Sequence, residues 1–389
     1  MSELLLVDNL SLYVHIPFCN SCCSYCAFYS EPRGAWQQYK EAYVDRLERE
    51  ILFYADKLHK PFETIFFGGG NPGCLSFEQL ERLLKASQLF GKSKECTIEM
   101  NPESFSPAFF PLFAQKLVSR LSMGIQSMDD TSLKNLGRNA SRSDNLQGIA
   151  YAKQVHALYG TDLSFDLMTC IPGQTVEQAL ADIDDLVFLA DPTHISLYCL
   201  TIEEGTELAR KVDSNMVSLL TEDNQEKMLS ACYLHLKKLG YRHYEISNFA
   251  KQGKRCLHNL RYWNLSSYLG LGSSAASTLV EEDQVKSLTQ EQDLATFSSG
   301  EIFSGYAVEI LTKVEYLEEY LLMALRTDEG IDKVQFSARF GYDFDKLFGK
   351  TVKTFEPFWY FDSPQSFFLS EQGMMFLDDI VLRLAMAVF

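Results

Sequence analysis

The chain has 389 residues, 46% hydrophobic and 22% charged, the balance of a globular protein with a substantial core, which excludes a mainly disordered chain, collagen or a coiled-coil rod. Its 35 Lys and Arg against 52 Asp and Glu give a net charge of −17; such a body repels phosphate backbones, and without a local basic patch it excludes nucleic-acid binding. Ten cysteines would mean disulfides in an exported chain. The N-terminal MSELLLVDNL has neither a basic n-region nor a long apolar h-region, and no run approaches the about 18 apolar residues of a membrane helix. The expectation is a cytoplasmic protein with reduced thiols.

Short apolar, β-rich runs alternate with longer helical patterns. Strands are predicted at 11–16, 63–67, 96–100, 121–126, 163–169 and 194–200. Most read as near-continuous apolar runs, as expected of strands buried on both faces. Helices are predicted at 36–57, 76–91, 107–118, 143–159, 175–190 and 221–239. In the first, Tyr39, Tyr43, Leu47, Ile51 and Tyr54 recur at three- to four-residue spacing, an apolar stripe; Ser76 with Gln79 makes a capping box for the second. Six β-then-α units imply an α/β fold with parallel strands and right-handed crossovers. Periodicity leaves open whether they curl into a barrel or lie as a doubly wound sheet. Either way the working face is at the C-terminal strand ends. After Gly240 the rhythm breaks. The polar stretch 281–305 reads as a surface connection and 306–389 as a small, mainly helical domain.

Four cysteines, Cys19, Cys22, Cys23 and Cys26, follow the first strand directly. A turn-rich, polar-flanked loop is a poor place for core thiols. A zinc site normally draws a second ligand pair from far along the chain, and no second C-x-x-C follows. Cys19, Cys23 and Cys26 form C-x-x-x-C-x-x-C, which supplies three thiolates to a [4Fe–4S] cluster and leaves one iron open for a small molecule. Electron-transfer clusters normally take four cysteines. The open iron is the arrangement of radical S-adenosylmethionine (AdoMet) proteins. Cys22 is a bystander, and Cys74, Cys96, Cys170, Cys199 and Cys232 read as small core residues.

The glycines Gly68–Gly70 at the end of the second strand let the backbone approach a ligand closely. Glu99, Gln126 and Asp166 sit at or near later strand ends, with Arg138 nearby. An Arg can pair with a ligand carboxylate, and acids can hold hydroxyls or an ammonium. Between Tyr244 and Asn264, Cys256 and His258 stand among aromatics and the basic Lys251, Lys254, Arg255 and Arg261, with His243 just ahead. That composition suits either a core loop or a macrocycle site, in which bases meet propionates and a His or Cys ligates iron.

The segments YVHIPFC, GGGNP, SRLSMGIQS, NLGR, IPGQT, PTHISLYCLTIEEGTEL, GYRHYEISNFA, HNLRYW and LGLGSSAAS together resemble oxygen-independent coproporphyrinogen III oxidase and its relatives, the radical-AdoMet haem chaperones. The resemblance implies an incomplete (β/α)6 barrel over 1–280, with a winged-helix-like C-terminal domain. It implies a [4Fe–4S] cluster on Cys19, Cys23 and Cys26. AdoMet contacts fall on Tyr13, Tyr25, Gly69, Gly70, Asn71, Glu99, Gln126, Arg138 and Asp166, and further on Thr201 and Ala276. Asn71 replaces a Thr of the family pattern, Cys170 a Gly, and Ala276 a His. The oxidase adds a fourth cysteine in C-x-x-x-C-x-x-C-x-C and a long N-terminal arm. Here that position is Phe28, and 18 residues precede Cys19. Both features point to the chaperone branch, whose haem-linked motif HNLRYW resembles, with His258 as the matching residue. The implied partners are haem, haem-acceptor proteins such as respiratory enzymes, with peripheral membrane contact through them, and a flavodoxin- or ferredoxin-like electron donor.

Overall fold

The computed structural model describes residues 9–281, 284–302 and 304–388. Six strands, β1 (Ser11–Ile16), β2 (Thr64–Gly69), β3 (Glu95–Met100), β4 (Arg120–Gln126), β5 (Asp162–Thr169) and β6 (His194–Cys199), pair in parallel and in chain order. Strand order decides between the two architectures that periodicity leaves open. A doubly wound sheet reverses direction at a switch point. Here the order runs from β1 to β6 without reversal, so right-handed crossovers put every helix on one face and leave the other as an interior. This is an incomplete barrel.

Shorter strands extend both edges: β7 (Arg242–Glu245) and β8 (Asn248–Ala250) beyond β6, and β9 (Tyr268–Leu271), β10 (Ala276–Val280), β11 (Val285–Gln290) and β12 (Tyr306–Leu311) beyond β1. The 281–305 stretch is therefore not simply a surface connection. It carries β11 and the helix Leu294–Ser299, and Phe297 of that helix is buried against Tyr43. Residues 306–311 likewise belong to the large sheet rather than to the tail. The sequence hid β11 because Lys286, Ser287 and Thr289 break its apolar run, and β12 because it lies at the sheet edge with Val308 and Ile310 exposed.

The barrel strands are apolar on the helix side and largely polar on the other, where Phe66 is an exception. Leu12, Val14 and Ile16 of β1 join the main core, while Ser11, Tyr13 and His15 alternate with them. On β5 and β6 the corresponding polar positions are Ser164, Asp166, His194 and Ser196. From Lys313 on, five helices and a small antiparallel sheet, β13 (Ile331–Asp332), β14 (Tyr360–Asp362) and β15 (Ser366–Leu369), enclose a separate core around Leu321, Phe336, Phe344, Phe348, Phe367 and Ile380. It is tied to the sheet by Arg326 Nε donating to Glu245 at 2.7 Å and by Asp328 N donating to Tyr244 O at 3.0 Å.

Candidate functional site

The loop after β1 carries Cys19, Cys23 and Cys26, all partly exposed, with Cys22 fully exposed. It is fastened from several sides: Trp36 Nε1 donates to Cys19 O at 3.0 Å, Cys19 N to Glu31 O at 3.0 Å, and Ser24 Oγ to Leu136 O at 2.8 Å. Burial pushes the Cys19 thiol up to about 12, and burial also raises Cys26. Such thiols are not thiolates at neutral pH unless a positive charge is supplied. Part of that charge faces Cys23, whose Sγ lies 3.6 Å from an Arg138 guanidinium nitrogen.

Arg138 links the loop to the strand ends. It donates to Gly124 O at 2.5 Å beside the β4 irregularity, where Gln126 has a φ of +66° and is buried. Burial opposes the charge of Arg138, but Tyr25 and Cys23 outweigh it and hold its pKa above the ordinary value. Tyr25 packs against an apolar cluster that includes Ile171 and Leu200, just past the ends of β5 and β6.

Two carboxyls lie deep in the same mouth, each keeping an accessible face. Burial, reinforced by Asp166, lifts Glu99 to about 8. Burial lifts Asp166 to about 6, opposed by Ser196 and Arg138. Glu99 Oε2 accepts from Gly69 N at 3.3 Å. Tyr13, facing Glu99, has its ionisation suppressed by burial, and its hydroxyl is 2.9 Å from His15 Nδ1. At Gly70 a Cβ would stand 2.9 Å from the carbonyl oxygens of both Ile16 and Phe18, and Gly69 has a φ of +109°, so this turn requires glycine. Asn71 is buried and braces two loops: Nδ2 donates to Ser104 Oγ at 2.7 Å, and Oδ1 accepts from Gly73 N at 3.0 Å.

Tyr13, Tyr25, Gly69, Gly70, Glu99, Gln126, Arg138 and Asp166 are thus assembled with Cys23 at one mouth. Thr201 and Ala276 stand on its rim. Thr201 is exposed, 3.2 Å from Glu203, and Ala276 is the exposed first residue of β10. Sequence reasoning missed His15, which touches Tyr13 and Tyr29 O, and Ser196, bonded to Asp166. Period-two alternation from Tyr13 and from Tyr198 would have found both.

His258 is elsewhere. Its Nδ1 is 2.8 Å from Thr64 Oγ1, at the N-terminal start of β2, and its Nε2 is 2.8 Å from Tyr262 OH. Burial depresses it to about 3. Its backbone N–H donates to Glu95, which also holds Arg120 at 3.0 Å, and Cys256 is buried beside them. The helix Leu257–Trp263 therefore plugs the barrel floor, opposite the cysteine loop. The basic patch expected around it is already paired: Lys251 with Asp191, Lys254 with Asp162, and Arg255 with Asp328 and Glu329. Arg261 reaches Asn9 O. Lys251, Lys254 and Arg255 are thus engaged by carboxylates, whereas Arg261 meets only a neutral carbonyl.

The mouth suits the cofactors that the loop spacing suggests. Ligands of a four-iron cluster sit on separate irons and need not converge on one point; among the described residues no three His, Cys, Asp or Glu side chains converge as ligands of one ion. Of the two acids raised by burial, Glu99 has only the Gly69 amide to favour its charge, and an ammonium or hydroxyl of a ligand would supply the missing partner. Among the described residues no helix is long and apolar enough to cross a membrane.

The radical SAM superfamily model matches residues 13–186, and the HemN C-terminal domain model matches 311–383. The heme chaperone HemW of Lactococcus lactis is 32% identical over 346 residues, covering 88% of both chains. The mitochondrial radical S-adenosyl methionine domain-containing protein 1 of Bos taurus is 34% identical over 397 residues, covering 97% of this chain and 84% of its own. Among solved structures, the coproporphyrinogen III oxidase HemN of Escherichia coli superimposes with a TM-score of 0.80 at 19% identity, covering 99% of this chain and 92% of that one; this shows the common fold. With two such relatives over most of its length, the chain belongs to the HemW-like branch of the radical SAM family.

Proposed function

We propose that this chain is a haem chaperone, which holds a [4Fe–4S] cluster on Cys19, Cys23 and Cys26 and AdoMet among Glu99, Asp166, Arg138 and the Gly69–Gly70 turn, and which passes haem to acceptor proteins. The observation that carries the choice of chaperone over oxidase is Phe28. It occupies the fourth-cysteine position of the oxidase pattern and is 74% exposed, an apolar surface beside the cluster loop. Relatives named heme chaperone support the same reading.

A reduced cluster held by Cys19, Cys23 and Cys26 would supply an electron to a sulfonium bound beside it. The rest is done by protein groups. Arg138 balances the Cys23 thiolate and offers a guanidinium to a carboxylate. Glu99 loses its proton when an ammonium arrives beside it, and Asp166 accepts from a ribose hydroxyl. The Gly69–Gly70 backbone admits the ligand without side-chain obstruction.

His258 remains the proposed haem-linked residue, with a condition set by its surroundings. Both ring nitrogens are engaged, so iron ligation requires the helix Leu257–Trp263 to leave the floor. Anaerobic reconstitution of the cluster followed by haem titration tests the function. A Soret shift that is weakened by His258→Ala, without conversion of coproporphyrinogen III to protoporphyrinogen in the same sample, is the expected result. Decarboxylation without haem binding overturns it.

A further inference from the structure

Cys170 and Cys199 end adjacent strands. Thr169 is the register partner of Cys199 at the tips of β5 and β6. Cys170 follows with a φ of +62°, a conformation that favours glycine. It interrupts the strand alternation and takes Cys170 toward the helix layer. There the Cys170 amide donates to Met228 Sδ at 3.2 Å and its thiol points at Gln225 O at 4.0 Å, both on the helix Glu222–Lys238. Each thiol is close enough to bias the ionisation of the other. Strands lie about 4.8 Å apart and rise about 3.3 Å per residue, so a one-residue offset puts the two Cα atoms about 6 Å apart, inside the span a disulfide bridges. Cys199 is partly exposed and Cys170 is buried.

We propose that Cys170 and Cys199 form a reversible dithiol–disulfide couple, oxidised by a low-molecular-weight disulfide such as oxidised glutathione. The partly exposed Cys199 sulfur attacks one glutathione sulfur; the glutathione S–S bond breaks, and one glutathione leaves, taking up the Cys199 proton as it becomes a thiol. The Cys170 sulfur then attacks Cys199 Sγ in the mixed disulfide and expels the second. Two protein thiols lose two electrons and two protons, and one glutathione disulfide becomes two thiols. Cys199 beside it, aided by Thr169, holds Cys170 on the acidic side of an ordinary thiol, which favours the closing step. Cys232, on the same helix and fully buried, is the third thiol of the cluster. It completes no metal site with the other two.

The couple sits under the mouth. Ile171 and Leu200, the next residues after each cysteine, pack with Tyr25. Oxidation ties these two strand ends together and, resting on the function proposed above, alters AdoMet binding.

The test uses the full chain with its reconstituted cluster, held anaerobically in glutathione buffers of fixed redox ratio and then mapped by differential alkylation and peptide mass. The expected product is a Cys170–Cys199 cross-link, two hydrogens lighter, that reverts in excess reduced glutathione. It is lost in Cys199→Ser and in Cys170→Gly, a variant suited to the positive φ, and kept in Cys232→Ser. Full alkylation of both thiols in the oxidised buffer, or a cross-link to Cys232 instead, overturns the proposal. Cluster absorbance, read separately, reports on the cofactor assignment, so failure of one is distinguishable from failure of the other.

Discussion

The two ends of the barrel use similar residue types and put them to opposite ends. At the floor, Glu95 meets Arg120, His258 meets Thr64 and Tyr262, and His194 bridges Ser164 and Tyr244. Most polar groups there have a protein partner, although Arg120 Nη1 and Arg261 Nε have none. At the mouth, Glu99 and Asp166 face each other with their pKa values lifted, and the thiols of Cys19 and Cys26 are held protonated by burial. Buried polar groups that satisfy one another specify structure; those left short of a partner mark where a ligand completes the set. Polarity in a barrel is therefore not by itself a functional signal, and the state of its hydrogen bonds is.

The largest expected effect separates the ends most sharply. Cys23→Ala should abolish cluster loading, measured as chelatable iron and visible absorbance, while thermal stability of the iron-free chain stays within about 1 kcal/mol of the parent. Arg120→Ala should do the reverse. It leaves Glu95 buried without its cation and should cost about 3–5 kcal/mol in denaturant unfolding, with cluster loading intact below the transition. Equal loss of iron in both variants would erase the distinction.

His258→Ala should destabilise by about 1–3 kcal/mol, since Thr64 and Tyr262 lose a buried partner. If haem ligation draws the helix Leu257–Trp263 out of the floor, haem should also speed hydrogen exchange in that helix; unchanged protection would confine His258 to structure.

A smaller effect concerns pH. The folded chain keeps a proton on Glu99 up to about 8, whereas an unperturbed glutamate releases it near 4.5. The associated stability is therefore present below 4.5 and lost as pH rises toward 8. Glu99→Gln should flatten that slope in the ligand-free chain. It should also weaken AdoMet about 10-fold, or 1.4 kcal/mol, and remove the proton release that calorimetry in buffers of different ionisation enthalpy would detect for the parent.

Much of the fold was legible. The six barrel strands lie where apolar runs end in turn signals, with β1 at the residues expected, and the helices keep their periodic stripes with shifted ends. The helix expected over 107–118 is a 3-10 turn followed by Phe110–Ala114, because Pro111 cannot continue a longer hydrogen-bond ladder before it. The cysteine spacing also stood out, since it depends on neighbours in one loop. Which polar residues meet did not. The HNLRYW segment offered a His among bases and aromatics, and nothing local tells that its helix turns under the barrel, where Glu95 and Thr64, more than 160 positions away, satisfy it.

Sequence alone therefore determined the parallel α/β rhythm and the three-thiol loop, because both are written in short-range patterns. Tertiary structure decided the barrel order, the membership of β11 and β12, the division between mouth and floor, and the meeting of Cys170 with Cys199. Those depend on contacts between distant strands, whose pairing is set by burial and twist rather than by any local run of residues.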